Sequence, residues 1–278
     1  MPIRLIAVDI DGTLLDSRGD LPDRNVDAIR RVVSRGVTVV LVTGRRFAMA
    51  RPIAETLRLT SPLVVHNGAL VRTLAGPRMV GWFLPPKAAE LVLEHTQDFS
   101  EYGVLHQDGP EGGQMVLHPS FRQNPLLTHY ALRMDQVVLE SSAFEPHLDS
   151  RLIQIMFGGP LSVMEQVEAR LSGSALQPLI RVTKTYYPER GFGIVDVLRR
   201  NCSKGKALEY LASLYALDRS EVAAIGDNHN DLEMLRFAGR GFVVANCVEE
   251  LRNCGFEEIG TNNEAGVAEA LETLVSEI

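Results

Sequence analysis

The sequence predicts an α/β protein: an open, largely parallel sheet flanked by helices, interrupted by an inserted α+β segment. Three observations predict it. In the first and last thirds the apolar, β-rich runs are continuous instead of alternating, as expected of strands buried on both faces. A stretch of helical period separates each run from the next, which is the order of a parallel sheet. After Pro85-Pro86 that grammar stops, and shorter strand and helix patterns follow to about Pro188.

In the first third, Ile3 to Val8 is an apolar run ending at Asp9. Asp23 to Arg35 has helical spacing, with Val26, Ile29, Val32 and Val33 on one face. Val37 to Val42 is a second strand, Phe47 to Leu57 a helix and Leu63 to Val65 a third strand. In the last third, Ser203 caps a helix running to about Ala216. Val222 to Ile225 and Phe242 to Ala245 read as strands, and Leu232 to Ala238 and Glu264 to Val275 as helices. Between them, Gly103 to His106, Met115 to His118, Leu152 to Phe157 and Ile180 to Thr183 read as antiparallel strands. Ala88 to Thr96 and Leu161 to Leu171 read as helices, and Asp108 to Gly113 as a loop or hairpin tip. The expected organisation is a core of residues 1–83 and 189–278 with an inserted domain at 84–188.

A chain of 278 residues with 45% apolar and 23% charged residues suits one large domain or two. The net charge of −7 comes without any basic block, which argues against a nucleic-acid partner. No apolar run approaches the length that crosses a bilayer, and Met1 to Arg4 lacks the pattern of a signal peptide. Three cysteines without metal-type spacing suggest neither a disulfide framework nor a zinc site, so a cytoplasmic location is expected. An acidic protein that handles an anionic substrate needs a local positive site, and a metal ion is a simple way to make one.

Four segments carry chemistry. Asp9-Ile10-Asp11-Gly12-Thr13 follows the first strand directly, where ligands collect in an open parallel sheet. Two carboxylates so close repel unless a cation lies between them or one holds a proton. Thr43-Gly44-Arg45 follows the second strand, and a hydroxyl with backbone N–H groups at such a turn can bind phosphate oxygens. Lys204 opens a helix, where the macrodipole disfavours a cation; either its stem reaches water or an anion lies near it. Gly226-Asp227-Asn228-His229-Asn230-Asp231 follows another strand, so Asp227 can face the same crevice as Asp9. Grouped carboxylates are what Mg²⁺ wants, although a Gly-Asp turn with Asp231 in the first turn of a helix also accounts for the last of these acids. His66 and His229 lie near strand ends without a catalytic assignment. Gly239-Arg240-Gly241 follows a helix and carries no nucleotide signal.

In order and spacing these segments resemble the haloacid dehalogenase superfamily, and within it the Cof-type (class IIB), sugar-phosphatase-like branch. The matches are the DxDGT opening (Asp9 to Thr13), the TGR turn (Thr43 to Arg45), the SKG segment (Ser203 to Gly205) and GDNxND (Gly226 to Asp231). Asn67-Gly68 and Asn263 to Ala268 also match. The resemblance implies a Rossmann-like core with an α/β cap inserted between the second and third motifs. It implies a Mg²⁺-dependent phosphatase acting on a small phosphorylated metabolite, with Asp9 as nucleophile and Asp11 as general acid and base. Thr43, Gly44, Lys204 and Asn230 would hold the phosphoryl oxygens. Asp9, Asp227 and the Asp11 carbonyl would hold Mg²⁺, with Asp231 behind them orienting Lys204 or a metal-bound water. A phosphomutase with the same nucleophile, or a silent sugar-phosphate-binding protein, is the alternative.

Overall fold

A computed structural model describes residues 2–109, 113–132, 137–173, 175–187 and 191–276. The expected loop at Asp108 to Gly113 lies partly outside them, as does the expected domain boundary at 188/189. In chain order the elements begin β1 (Leu5–Val8), α1 (Asp23–Ser34), β2 (Thr38–Leu41), α2 (Phe47–Thr56), β3 (Leu63–Val65), β4 (Leu70–Arg72) and β5 (Arg78–Gly81). There follow α3 (Pro86–His95), β6 (Gly103–Gln107), β7 (Gln114–Leu117), α4 (Pro125–Leu132), β8 (Val137–Glu140), β9 (Leu152–Pro160), α5 (Leu161–Ser172), β10 (Ile180–Tyr187) and β11 (Phe192–Arg199). The chain closes with α6 (Lys204–Leu214), β12 (Val222–Gly226), α7 (Leu232–Phe237), β13 (Arg240–Val244), α8 (Glu249–Arg252), β14 (Glu257–Ile259) and α9 (Gly266–Ser276). By backbone proximity the chain divides into Met1–Val80 with Ser203–Ile278, and Gly81–Cys202.

The first unit is built on a five-stranded parallel sheet in the order β14-β13-β12-β1-β2. Every residue of β1 and β12 is buried, which is why their sequences are unbroken apolar runs. β3 departs from the expected parallel sheet. It pairs antiparallel with β4, and only a single parallel bridge, Val42 to Val64, joins it to the end of β2. The α1 face also differs from the spacing read in the sequence. Asn25, Ala28, Ile29 and Val32 are the buried positions, whereas Val33 is exposed. Asn25 is the reason for the rotation. Its amide donates to Leu14 O and accepts from Ala268 N, both at 2.9 Å, so a polar residue is drawn inward and satisfied.

The second unit is a six-stranded sheet in the order β10-β11-β9-β6-β7-β8, antiparallel except for β7 with β8. One face carries α3 and α5 through Ala88, Val92, Met164, Val167 and Leu171. On the other, Val104, Met115, Leu117 and Met156 pack with Phe121, Leu127 and Ala131 of the α4 region. The unit extends beyond the 84–188 segment expected from the sequence. β11, which falls in the core range expected from the sequence, pairs antiparallel with both β10 and β9 and so belongs to this sheet.

Candidate active site

Register brings three motifs to one edge of the parallel sheet. Val8 stands beside Leu41 on one side and Ile225 on the other, so Asp9, Thr43 and Asp227 all follow the carboxyl ends of adjacent strands. Asp9 N donates to Ile225 O at 3.0 Å, Val42 N to Val8 O at 2.9 Å and Thr43 N to Val64 O at 2.9 Å. Asp9, Thr43, Lys204 and Asp231 are all buried.

After Asp9 the chain turns through Gly12, whose φ is +79°. A Cβ at Gly12 would lie 2.4 Å from Asp227 Oδ2, so glycine is needed both for the backbone angle and for the close approach of that carboxylate. Thr13 Oγ1 donates to Asp227 Oδ1 at 2.9 Å, and Asn246 Nδ2 donates to Gly12 O at 2.8 Å. Asp11 points elsewhere. Half-exposed, it is gripped by the Arg45 guanidinium, Nε to Oδ2 at 2.8 Å and an NH2 group to Oδ1 at 2.6 Å.

Lys204 resolves the question its position raised. Ser203 caps α6 by accepting from Lys206 N at 3.1 Å, and the Lys204 stem runs inward instead of to water. Its Nζ lies 2.5 Å from Asp9 Oδ1 and 2.6 Å from Asp231 Oδ1. Asp231 Oδ2 in turn accepts from Asp227 N and Asn228 N, both at 3.1 Å, so this carboxylate ties the lysine to the fourth-motif turn. Asn230 Nδ2 donates to Asn67 Oδ1 at 2.9 Å. Asn67 belongs to a left-handed turn, His66-Asn67-Gly68, with φ of +52°, +53° and +97°. That turn binds the second motif as well, through Asn67 N to Thr43 O and His66 N to Arg45 O, both at 3.0 Å.

One atom each from Asp9, Asp227 and Asp231 lies within 4.8 Å of the others. Burial pushes the Asp9 carboxyl well above its ordinary range, and Asp231, Asp227 and Asp11 push it further against the pull of Lys204. Burial, then Asp231, pushes Asp227 up to about 7. Burial works against the Lys204 charge, but Asp231 and Asp9 outweigh it and hold the ammonium above the usual lysine range. Three clustered carboxylates face one ammonium, and a divalent cation fits that imbalance and that all-oxygen donor set. Both Asp231 oxygens are engaged, one by Lys204 and the other by backbone N–H groups, which makes Asp9 and Asp227 the better ligands.

The sequence singled out Asp9, Thr43, Lys204, Asp227 and Asp231, and the fold gathers them. It did not reveal the roles of Arg45, Asn67 and Asn246. Arg45 and Asn67 sit inside or beside matched motifs, so adjacency was their only signal; Asn246 gave none.

A family model described as haloacid dehalogenase-like hydrolase matches residues 6–271. YxeH of Bacillus subtilis (strain 168), which bears a provisional phosphatase name, is 28% identical over 286 residues, covering 98% of each chain. The 5-amino-6-(5-phospho-D-ribitylamino)uracil phosphatase YwtE of the same organism is 26% identical over 99% of each chain. A solved haloacid dehalogenase-like hydrolase from Bacteroides thetaiotaomicron has a TM-score of 0.80 at 26% identity, covering 98% of this chain and 99% of that one. Among the described residues no helix is long and apolar enough to cross a membrane. A match over nearly the whole chain, to a parallel-sheet unit interrupted by an α/β unit, leads to one conclusion: the chain belongs to the haloacid dehalogenase-like hydrolase family.

Proposed function

We propose that the protein is a Mg²⁺-dependent phosphatase that hydrolyses a small phosphate monoester, of a sugar or similar metabolite, through an aspartyl phosphate on Asp9. One observation carries the reading: Asp9 is buried at the end of β1 with the Lys204 ammonium at 2.5 Å and two further carboxylates beside it. Similarity to a phosphatase of a phosphoribityl compound supports a small phosphorylated metabolite.

In this mechanism an Asp9 oxygen attacks phosphorus and the bond from phosphorus to the ester oxygen breaks, while Asp11 gives its proton to the departing alcohol. Asp11 then takes a proton from water as that water attacks phosphorus, which releases phosphate and frees Asp9. Thr43, the Gly44 N–H, Lys204 and Asn230 hold the phosphoryl oxygens, and Asp231 fixes Lys204 in place. Asp9, Asp227 and the Asp11 carbonyl would hold the Mg²⁺, which when bound screens the repulsion between an anionic nucleophile and an anionic ester. Arg45 keeps the half-exposed Asp11 in one orientation.

The test is a panel of sugar phosphates, nucleotides and cofactor phosphates, assayed for orthophosphate with and without Mg²⁺. Metal-dependent release from at least one ester is expected. Return of the phosphoryl group to another hydroxyl of the sugar would make the enzyme a mutase, and the absence of any turnover would make it a binding protein.

A further inference from the structure

After β1 the chain makes a wide turn over Ile10–Leu14 that is broken inside, with ψ of 124° at Asp11 and φ of +79° at Gly12. A turn so broken cannot pass its carbonyls along a regular ladder, and side-chain amides take those of residues 12, 14 and 15. Asn246 Nδ2 donates to Gly12 O at 2.8 Å, Asn25 Nδ2 to Leu14 O at 2.9 Å and Asn262 Nδ2 to Leu15 O at 2.9 Å. Backbone N–H groups fix which way two of these amides point. Asn246 Oδ1 accepts from Asn262 N at 2.8 Å and Asn25 Oδ1 from Ala268 N at 2.9 Å, which leaves each nitrogen for its carbonyl. Ser17 N also donates to Asn263 Oδ1 at 3.0 Å. The stretch from Asn263 to Ala268, a match in the sequence that acquired no role in the site, is thus one side of a clamp on the loop that carries Asp9 and Asp11.

Asn246 differs from the other two amides. Asn25 and Asn262 are buried and hold the far end of the turn. Asn246 is exposed, in the loop after β13, and it holds the end nearest Asp227. Gly12 leaves no room for a Cβ beside Asp227 Oδ2, and Thr13 Oγ1 donates to Asp227 Oδ1 at 2.9 Å. The Gly12–Thr13 peptide, whose oxygen Asn246 binds, is therefore the part of the loop against which the Asp227 carboxylate rests. Two residues further along, Val248 N donates to Asp227 O at 2.9 Å. Residues 246 and 248 grip both partners, one by its side chain and the other by its backbone, and so set the spacing between them.

That spacing matters more to a divalent cation than to the fold. Mg²⁺ demands near-ideal octahedral geometry, so a carboxylate and a carbonyl that drift relative to one another lose affinity for it. Holding Gly12 O restrains the peptides on either side of Gly12, and one of them carries the Asp11 carbonyl. At an exposed carbonyl, water can take the place of the amide, so the folded chain loses little with Asn246. Water cannot hold the peptide in one orientation.

We propose that Asn246 is a positioning residue for the cation: by holding Gly12 O it fixes the Asp11 carbonyl and the Asp227 carboxylate at the spacing Mg²⁺ requires. This rests on the reading of those two groups as Mg²⁺ ligands, and it adds a residue that acts through the loop instead of on the cation.

The experiment is isothermal titration of the metal-free, full-length protein with Mg²⁺, paired with thermal melts in EDTA. Asn246→Ala should raise the Mg²⁺ Kd by about 10-fold or more, the usual effect of removing a group that orients a metal ligand. Its melting temperature in EDTA should fall by no more than about 4 °C, the shift that one lost hydrogen bond gives a chain of this size. A merely structural role would show the reverse, a lower melting temperature with an unchanged Kd in the folded protein. Asn246→Asp separates position from charge. It keeps the acceptor for Asn262 N but sets an oxygen against Gly12 O, while its added charge attracts cations. Weaker Mg²⁺ binding by this variant is expected. Equal or tighter binding would overturn the assignment, as would a wild-type Kd in Asn246→Ala. A wild-type chain that binds no Mg²⁺ would overturn it together with the metal site. No ester enters the titration, so failure of every phosphate ester to release phosphate would sink the phosphatase reading and leave this result standing.

Discussion

Lys204 Nζ and Asp9 Oδ1 lie 2.5 Å apart with both side chains buried, and Asp231 Oδ1 meets the same ammonium at 2.6 Å. A cation at the first turn of a helix opposes the macrodipole, and these two carboxylates are the reason it is tolerated there. Removing it should be costly. Lys204→Met leaves two buried carboxylates without their counter-ion, and we expect a loss of about 3–5 kcal/mol in urea unfolding of the metal-free protein. A midpoint equal to wild type would mean that the lysine contributes to the ligand alone.

Asp9 and Asp11 occupy neighbouring positions but unlike surroundings, one buried and the other half-exposed. Asp9→Asn should abolish turnover and leave no acid-stable phosphoryl label or fluoroberyllate adduct on the chain. Asp11→Asn should retain binding of phosphate and metal yet turn over at least ~100-fold more slowly, the usual scale for a general acid and base. Wild-type activity in Asp9→Asn would exclude the covalent route.

The Arg45 fork on Asp11 makes a finer prediction. Both contacts are charge-assisted and come from a planar, bidentate donor that a lysine cannot reproduce. Arg45→Ala and Arg45→Lys should therefore both lower kcat, by about 10-fold or more, with a smaller change for esters whose leaving group needs no protonation. An equal loss for p-nitrophenyl phosphate and for an alkyl phosphate would show that Arg45 does not act through Asp11.

How far the sequence anticipated this site depends on the range of the interaction. Strand ends are local features, written as apolar runs that stop at Asp9, Thr43 and Asp227, and the parallel sheet aligns them by register. The Arg45–Asp11 fork and the Asn67–Asn230 bond join residues 34 and 163 positions apart, and no periodicity encodes such pairings. Residues 192–199 fall in the core range expected from the sequence, 189–278, yet form β11 of the second sheet for a related reason. Its apolar run is compatible with either sheet, and only its antiparallel partners β9 and β10 decide between them. Leu63 to Val65 reads as a strand and is one, but a three-residue run carries no signal of its antiparallel pairing with β4.

The left-handed turn at His66-Asn67-Gly68 offers a test of the scaffold. A Cβ on Gly68 would lie 2.2 Å from Ser203 O, and its φ of +97° is one that side chains disfavour. Gly68→Ala should push the start of α6 away and move Lys204 with it. We expect a destabilisation of at least about 1 kcal/mol, and a fall in kcat larger than the same loss of stability causes at a remote site. An unchanged kcat in a folded Gly68→Ala protein would mean that α6 keeps its position without this contact.

Asp227 links the cation to stability. Its carboxyl is pushed up to about 7 from an ordinary 3.8, first by burial and then by Asp231. The metal-free folded state therefore binds a proton more readily than the unfolded chain between those two values. The sign follows: this group makes metal-free stability fall as pH rises from 3.8 toward about 7, and the penalty is complete above that. Mg²⁺ should offset it. At pH 8 a concentration one hundred times Kd should add about 2.7 kcal/mol, and at pH 5 the same concentration should add less, because protons compete for the carboxylates. Asp227→Asn should flatten the metal-free pH dependence, raise metal-free stability at pH 8 and remove most of the Mg²⁺ effect. Thermal melts at both pH values, with Mg²⁺ and with EDTA, check all three. A variant that kept the full Mg²⁺ stabilisation would place the cation away from Asp227.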